Sequence, residues 1–157
     1  EALTFADQVV VMTRGKAVQV GTAAQLFERP SHTFVGHFIG SPGMNFLHAQ
    51  VVQQALHLAD AVLPLPPGLA LPLGAIKLGV RPEYVLPVAP NTPGALPMTV
   101  VQVQDVGTHL MLTANFSGQA VKARLGSSAG HWASGDMVWL QVLREQTCFY
   151  KNEEIIA

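Results

Sequence analysis

His109-Leu-Met-Leu-Thr-Ala-Asn-Phe116, Ser117-Gly118 and Gln119-Ala-Val-Lys-Ala-Arg-Leu125 follow one another without a break, and their reading decides the fold. In the first run the even positions Leu110, Leu112, Ala114 and Phe116 are apolar. In the second, Val121, Ala123 and Leu125 alternate with Lys122 and Arg124. A period of two is the pattern of a strand buried on one face. Ser117-Gly118, set between two such runs, is the short loop of a hairpin. Val100 to Val106 and Met137 to Leu143 read as two further strands. Fourteen glycines and eleven prolines scattered over 157 residues supply the turns. Short strands at this spacing predict a small barrel or sandwich.

Composition narrows the function. About half the residues are apolar (49%) and 12% are charged, which favours a folded protein over a disordered one. The net charge is −1 and the nine Lys and Arg form no basic run, so a nucleic acid is not an expected partner. A single-strand-binding barrel would also need aromatic platforms in a basic groove, and aromatics are sparse. No apolar stretch reaches the roughly 18 residues needed to cross a bilayer, so direct membrane insertion is not expected. The first residues have no signal-peptide pattern. The single cysteine, Cys148, forms no internal disulfide and fits a reducing compartment. Together these predict a cytoplasmic location. The six histidines show no metal-ligand spacing, and no metal is expected.

Outward from the strands, the chain changes character before Met44. Glu1 to Asp7 reads as the end of a helix. Gln8-Val-Val-Val-Met12 and Ala17-Val-Gln-Val20 flank the turn Thr13-Arg-Gly-Lys16 and predict a hairpin. Thr22-Ala-Ala-Gln25 has the form of a capping box, with Ala23, Leu26 and Phe27 on one helical face. Pro30 stops that helix and Ser31 is the expected cap of the next. Phe34, Val35, Phe38 and Ile39 form an apolar stripe that ends at Gly40. The domain boundary is placed in the connector Ser41-Pro-Gly43, giving units 1–43 and 44–157. Residues 50–60 carry a conflict: Ala, Leu and Gln favour helix, while the surrounding pattern favours strands. Strand is the expectation.

Glu1-Ala-Leu, Val9-Val-Val-Met12, Gly15-Lys16 and Gln19-Val-Gly-Thr22 resemble the stretch just after the switch histidine of ABC ATPases. Phe27-Glu-Arg-Pro30 and Phe38-Ile-Gly-Ser-Pro-Gly-Met-Asn-Phe-Leu47 resemble the passage into the regulatory domain of carbohydrate and glycerol-phosphate importers. Leu78-Gly-Val-Arg-Pro-Glu83 is similar to that domain's Gly-Ile-Arg-Pro-Glu-His signature, with Tyr84 in place of the histidine. Cys148-Phe-Tyr150 and Glu154-Ile155 look like its last strands.

The resemblance implies a mainly β, OB-type (TOBE) regulatory barrel after a hairpin and two short helices that end an ABC ATPase domain. It implies a parent subunit that uses ATP and magnesium, works with permease subunits at the inner face of the membrane, and pairs with a second copy through the regulatory domain. An inhibitory regulator protein is a further implied partner. The switch histidine would sit just before Glu1. This stretch has no Gly-x-x-x-x-Gly-Lys-Ser/Thr loop, no acidic run for magnesium and no Ser-Gly-Gly-Gln signature, so no catalytic residue, cofactor site or ATP hydrolysis is expected of it.

Met44, Asn45, Phe46, Arg81, Pro82 and Glu83 are the candidate regulatory or dimer-interface residues. Each group has a plainer reading beside the functional one: Arg81 and Glu83 as a solvated ion pair, Met44 and Phe46 as a plug at the barrel's end. Glu153-Glu154 reads as a solvated face. Open edges on the 8–20 hairpin predict contact or exchange with a neighbouring chain. The alternative function is a sensor of small oxyanions, with Gly126 and Ser127-Ser128 as the donor loop.

Overall fold

The computed structural model describes residues 8–13, 15–40, 42–127 and 130–157. Strands β1 (Val9–Thr13) and β2 (Lys16–Gly21) form the expected hairpin, turned by Gly15 at a φ of +76°. Glu1 to Asp7, expected to end a helix, and Arg14 lie outside the described residues. Helix α1 (Ala23–Glu28) starts on the predicted capping box: the Thr22 hydroxyl accepts from the Gln25 amide, and the Gln25 side chain accepts from the Thr22 amide.

Helix α2 (Thr33–Phe38) corrects two expectations. Its cap is His32, whose Nδ1 accepts from the Phe34 amide, and not Ser31. The Ser31 backbone is engaged elsewhere, its amide donating to Gln19 and its carbonyl accepting from Ile155. The apolar stripe also divides. Val35 and Ile39 pack with Leu26, Val9 and Val11 in a small core, while Phe34 and Phe38 stack on each other in solvent, ring centroids 5.8 Å apart. Gly40 ends the helix at a φ of +109°.

The rest is β. A six-stranded antiparallel sheet runs β13-β12-β6-β3-β4-β5 and a five-stranded one β10-β9-β8-β11-β7. The strands are β3 (Asn45–Val52), β4 (Ala55–Leu58), β5 (Ala61–Pro64), β6 (Gly74–Val80), β7 (Leu86–Val88), β8 (Ala95–Asp105), β9 (Leu110–Phe116), β10 (Gln119–Leu125), β11 (Met137–Gln141), β12 (Cys148–Lys151) and β13 (Glu154–Ile155). β9 and β10 pair as the alternation requires. Phe116 faces Gln119 across Ser117-Gly118, whose φ values of +49° and +85° make the turn that matches strand twist. Residues 50–60 are strand and turn. Burial of Val51, Leu56 and Leu58 on one side overrides the local helix preference.

Both sheets feed one core, Leu47, Leu78 and Val80 from one and Leu96, Leu112, Val121 and Leu140 from the other. Side chains close the seam between them. The Asn45 amide mimics a strand, its Nδ2 donating to the Lys122 carbonyl at 2.8 Å and its Oδ1 accepting from the Lys122 amide at 2.9 Å. Three residues along the same strand, the His48 amide donates to Gln119 Oε1 at 2.9 Å. The mainly β body expected from the sequence is the fold.

Candidate functional site

Strand β6 ends in Leu78-Gly79-Val80, buried on both faces, and the chain leaves it through Arg81 into the 3-10 turn Pro82–Tyr84. The exit aims Arg81 at the two helices. Its side chain is 2% exposed, so the solvated Arg81–Glu83 pair weighed from sequence is not what forms. Nε and Nη2 donate to the Phe27 carbonyl at 3.2 and 3.1 Å. Nη1 donates to the Gly36 carbonyl at 3.2 Å and to the Ile39 carbonyl. Phe27 lies under the guanidinium, 4.3 Å from its ring centroid. Carbonyls at helix ends lack intrahelical partners and carry partial negative charge, which is why a fixed cationic fork fits here. Burial pushes the guanidinium's pKa down from its ordinary value, and nearby Glu83 opposes that shift; arginine stays charged regardless.

Around this clamp further contacts tie the helices to the barrel. Met44, Cys148 and Tyr150 are buried together with Phe46 against them. The Tyr150 hydroxyl donates to the Pro30 carbonyl at 2.7 Å, and its ring meets Phe46 edge-on at 5.5 Å between centroids. Tyr84, in the position of the family histidine, donates to the Glu28 carboxylate at 3.2 Å. Glu153 is another tie. It accepts from Thr33 Oγ1 and from Lys77 Nζ at 2.6 Å, while its own carbonyl accepts from the Thr33 amide. Glu153 is thus held by Thr33 and Lys77 while its side chain stays 45% exposed. Two groups bonded to its charged form hold its carboxyl below the usual range. Burial pushes the Tyr150 phenol and the Cys148 thiol above theirs.

Glycine makes the close approach possible. A Cβ on Gly79 would stand 2.7 Å from Met44 Sδ and 2.9 Å from Tyr150 Cε1; one on Gly36 would stand 2.8 Å from Phe46 Cζ.

Met44, Asn45, Arg81 and Pro82 are thus buried within the chain, and Phe46 and Glu83 half-buried. The structure brings Met44, Phe46 and Arg81 to one seam between helices and barrel, and sets Asn45 at the seam between the two sheets. Sequence reasoning missed Tyr150, Glu153 and Tyr84 as ties. Their signal was distributed: Gly36 and Gly79 sit where aromatic rings come close, and Gly40 where the Arg81 guanidinium does. For the oxyanion reading, Gly126 and Ser127 are exposed and Ser128 lies outside the described residues.

Two family models match the chain: the MalK OB fold domain over residues 40–85 and the TOBE domain over residues 78–149. They overlap on the Arg81 segment. The sn-glycerol-3-phosphate import ATP-binding protein UgpC of Salmonella typhi is 32% identical over 98% of this chain and 44% of its own length. The chain carries the OB and TOBE domains of ABC-importer ATP-binding proteins. A relative of the same description from Vibrio cholerae is 48% identical over 54% of the chain and 23% of its own length. The chain spans less than half the length of these relatives. Among solved structures, the cytoplasmic molybdate-binding protein ModG, with molybdate bound, superposes with a TM-score of 0.52 at 14% identity, over 68% of this chain and 94% of its own. That likeness concerns the fold alone. Among the described residues no helix is long and apolar enough to cross a membrane.

Proposed function

We propose that the chain is the regulatory and dimerisation portion of the ATP-binding subunit of an ABC importer for sn-glycerol 3-phosphate or a related carbohydrate. In this reading residues 1–43 end the ATPase domain and residues 44–157 are the regulatory barrel. The parent subunit binds ATP and magnesium and couples hydrolysis to import through permease subunits at the cytoplasmic face of the membrane. The barrel works by geometry: it pairs with its twin and offers an inhibitory regulator a surface on which to hold two subunits apart.

The Arg81 clamp carries this reading. A regulatory body can influence an ATPase only if displacement of one moves the other, and two units joined by a loose linker would not do this. Here a buried cation grips three carbonyls of the preceding helices. Met44, Phe46, Arg81 and Pro82 would then serve regulation by stiff coupling, with Asn45 keeping the barrel closed and Glu83 within the turn.

The test uses the full-length subunit assembled with its permease partners. Arg81→Lys is expected to preserve ATP binding while weakening the coupling of hydrolysis to import and the response to a regulator. Unaltered coupling in a correctly folded Arg81→Lys subunit would refute the reading. The 157-residue chain alone is expected to show no magnesium-dependent ATP turnover, and to self-associate in light scattering through the barrel.

A further inference from the structure

A cleft of about 730 Å³ lies between edge strand β5 and the outer face of the five-stranded sheet, and it shares no residue with the Arg81 clamp. Its volume is in the roughly 300–1,000 Å³ range of small-molecule sites. Pro97, Thr99, Asn115 and Trp139 form the floor, standing outward because their neighbours Met98, Ala114, Val138 and Leu140 point into the core. They are adjacent across the sheet, Trp139 opposite Pro97 and Thr99 opposite Asn115. The rim is made by the turns at Ala59-Asp60, Asn91-Thr92 and Ser117. Ala59, Asn91 and Ser117 all hold positive φ values there, a conformation side-chain-bearing residues adopt at a cost.

Two features select the occupant. First, the lining contains no Lys, Arg or His, and its one ionisable group is Asp60. An anion would meet a carboxylate with no cation to balance it. Second, β5 is closed to an added strand. The Leu65 amide bonds inward to Gln54, so by alternation Val62 and Pro64 present their backbone groups outward. Pro64 has no N–H, and a peptide pairing on this edge would lose its ladder there. What remains are side-chain amides and hydroxyls (Asn91, Thr92, Thr99, Asn115), one carboxylate, and an indole. Hydroxyl groups can donate to the carboxylate and accept from the amides in the same pose. An indole accommodates the C–H face of a saturated ring.

We propose that this cleft binds a neutral polyhydroxylated molecule, a mono- or disaccharide or a comparable polyol, seated on Trp139. The inference stands on the cleft and is independent of the importer reading.

The test is an amide-resolved NMR titration of the whole chain with maltose and, separately, myo-inositol, with inorganic phosphate as contrast. Saturable shifts from at least one of the two polyols are expected in residues 59–62, 91–94 and 115–117 and in the Trp139 indole N–H. Trp139→Leu and Asn115→Ala are each expected to weaken binding about tenfold or more. Asn115 is exposed, so its variant keeps the fold and decides the matter if Trp139→Leu does not. Silence from both polyols, shifts in the cleft from phosphate alone, or undiminished binding in the Asn115 variant would each overturn the proposal.

Discussion

Arg81 donates two hydrogen bonds to the Phe27 carbonyl, through Nε at 3.2 Å and Nη2 at 3.1 Å, while its guanidinium covers the Phe27 ring at 4.3 Å. One residue thus receives the cation twice, on its backbone and on its π face. The planar fork is required for both, because an ammonium is a point charge with neither bidentate geometry nor a stacking face. Arg81→Lys is therefore expected to lower the unfolding free energy by about 2 kcal/mol. Arg81→Met should cost more, since the carbonyls of Phe27 and Ile39 then lose the guanidinium and that of Gly36 keeps only the Met44 amide. Urea unfolding followed by tryptophan fluorescence measures both. A Lys variant with an unchanged midpoint would show that the clamp is ornamental.

The glycine at the foot of the clamp supplies a second prediction. Gly79→Ala would drive a methyl group to within 3.0 Å of Met44, Tyr150 and Phe46 at once, and ring atoms of two of them would have to move. Overpacking of this kind costs about 1–3 kcal/mol. Gly118→Ala meets nothing within 4 Å, and its cost comes from a φ of +85°, on the order of 1 kcal/mol. The two can be told apart by structure: the Gly79 variant should perturb NMR shifts of Tyr150 and Phe46, the Gly118 variant only those of its own turn.

The β9–β10 hairpin was legible because each of its residues faces one way and the pattern states which. The same holds for the Thr22 capping box, where the signal lies within four residues. Arg81 was legible only as a member of a motif. Its burial depends on carbonyls that lie 42 to 54 positions away in sequence, and no local pattern reports them. His32 displaced Ser31 as the cap for a like reason: the strand that occupies the Ser31 backbone comes from residue 155. The cleft at Trp139 was invisible in sequence, since its floor is assembled from three strands and its rim from separate turns.

Glu153 yields a pH dependence with a defined sign. Its folded-state pKa is depressed by hydrogen bonds from Lys77 and Thr33. The stability this contributes is present above the unfolded value of about 4.3 and is lost as pH falls through the lower folded value. Glu153→Gln removes that dependence. Thermal midpoints measured between neutral and acidic pH should fall less steeply for the variant than for the parent chain. Parallel acid limbs would mean that the Lys77–Glu153–Thr33 tie carries no stability.

Tyr150 has the opposite sign. Burial, and then the neighbouring Cys148, raise the phenol's pKa, so the folded chain holds this proton more tightly than the unfolded one. The associated stability is full below the unfolded value of about 10 and is lost as pH climbs toward the folded one. Tyr150→Phe keeps the buried shape but deprives the Pro30 carbonyl of its donor, costing about 1–2 kcal/mol at neutral pH. Tyr84 and Cys148 also have raised values, so the parent's alkaline limb alone cannot isolate Tyr150. The difference between parent and Tyr150→Phe reports the hydroxyl together with its coupling to Cys148, Tyr84 being common to both. That difference is expected to shrink as pH rises above about 10. A gap in urea midpoint that stays constant from neutral to strongly alkaline pH would mean the hydroxyl at position 150 ionises as freely folded as unfolded, contrary to its place between Pro30 and Met44.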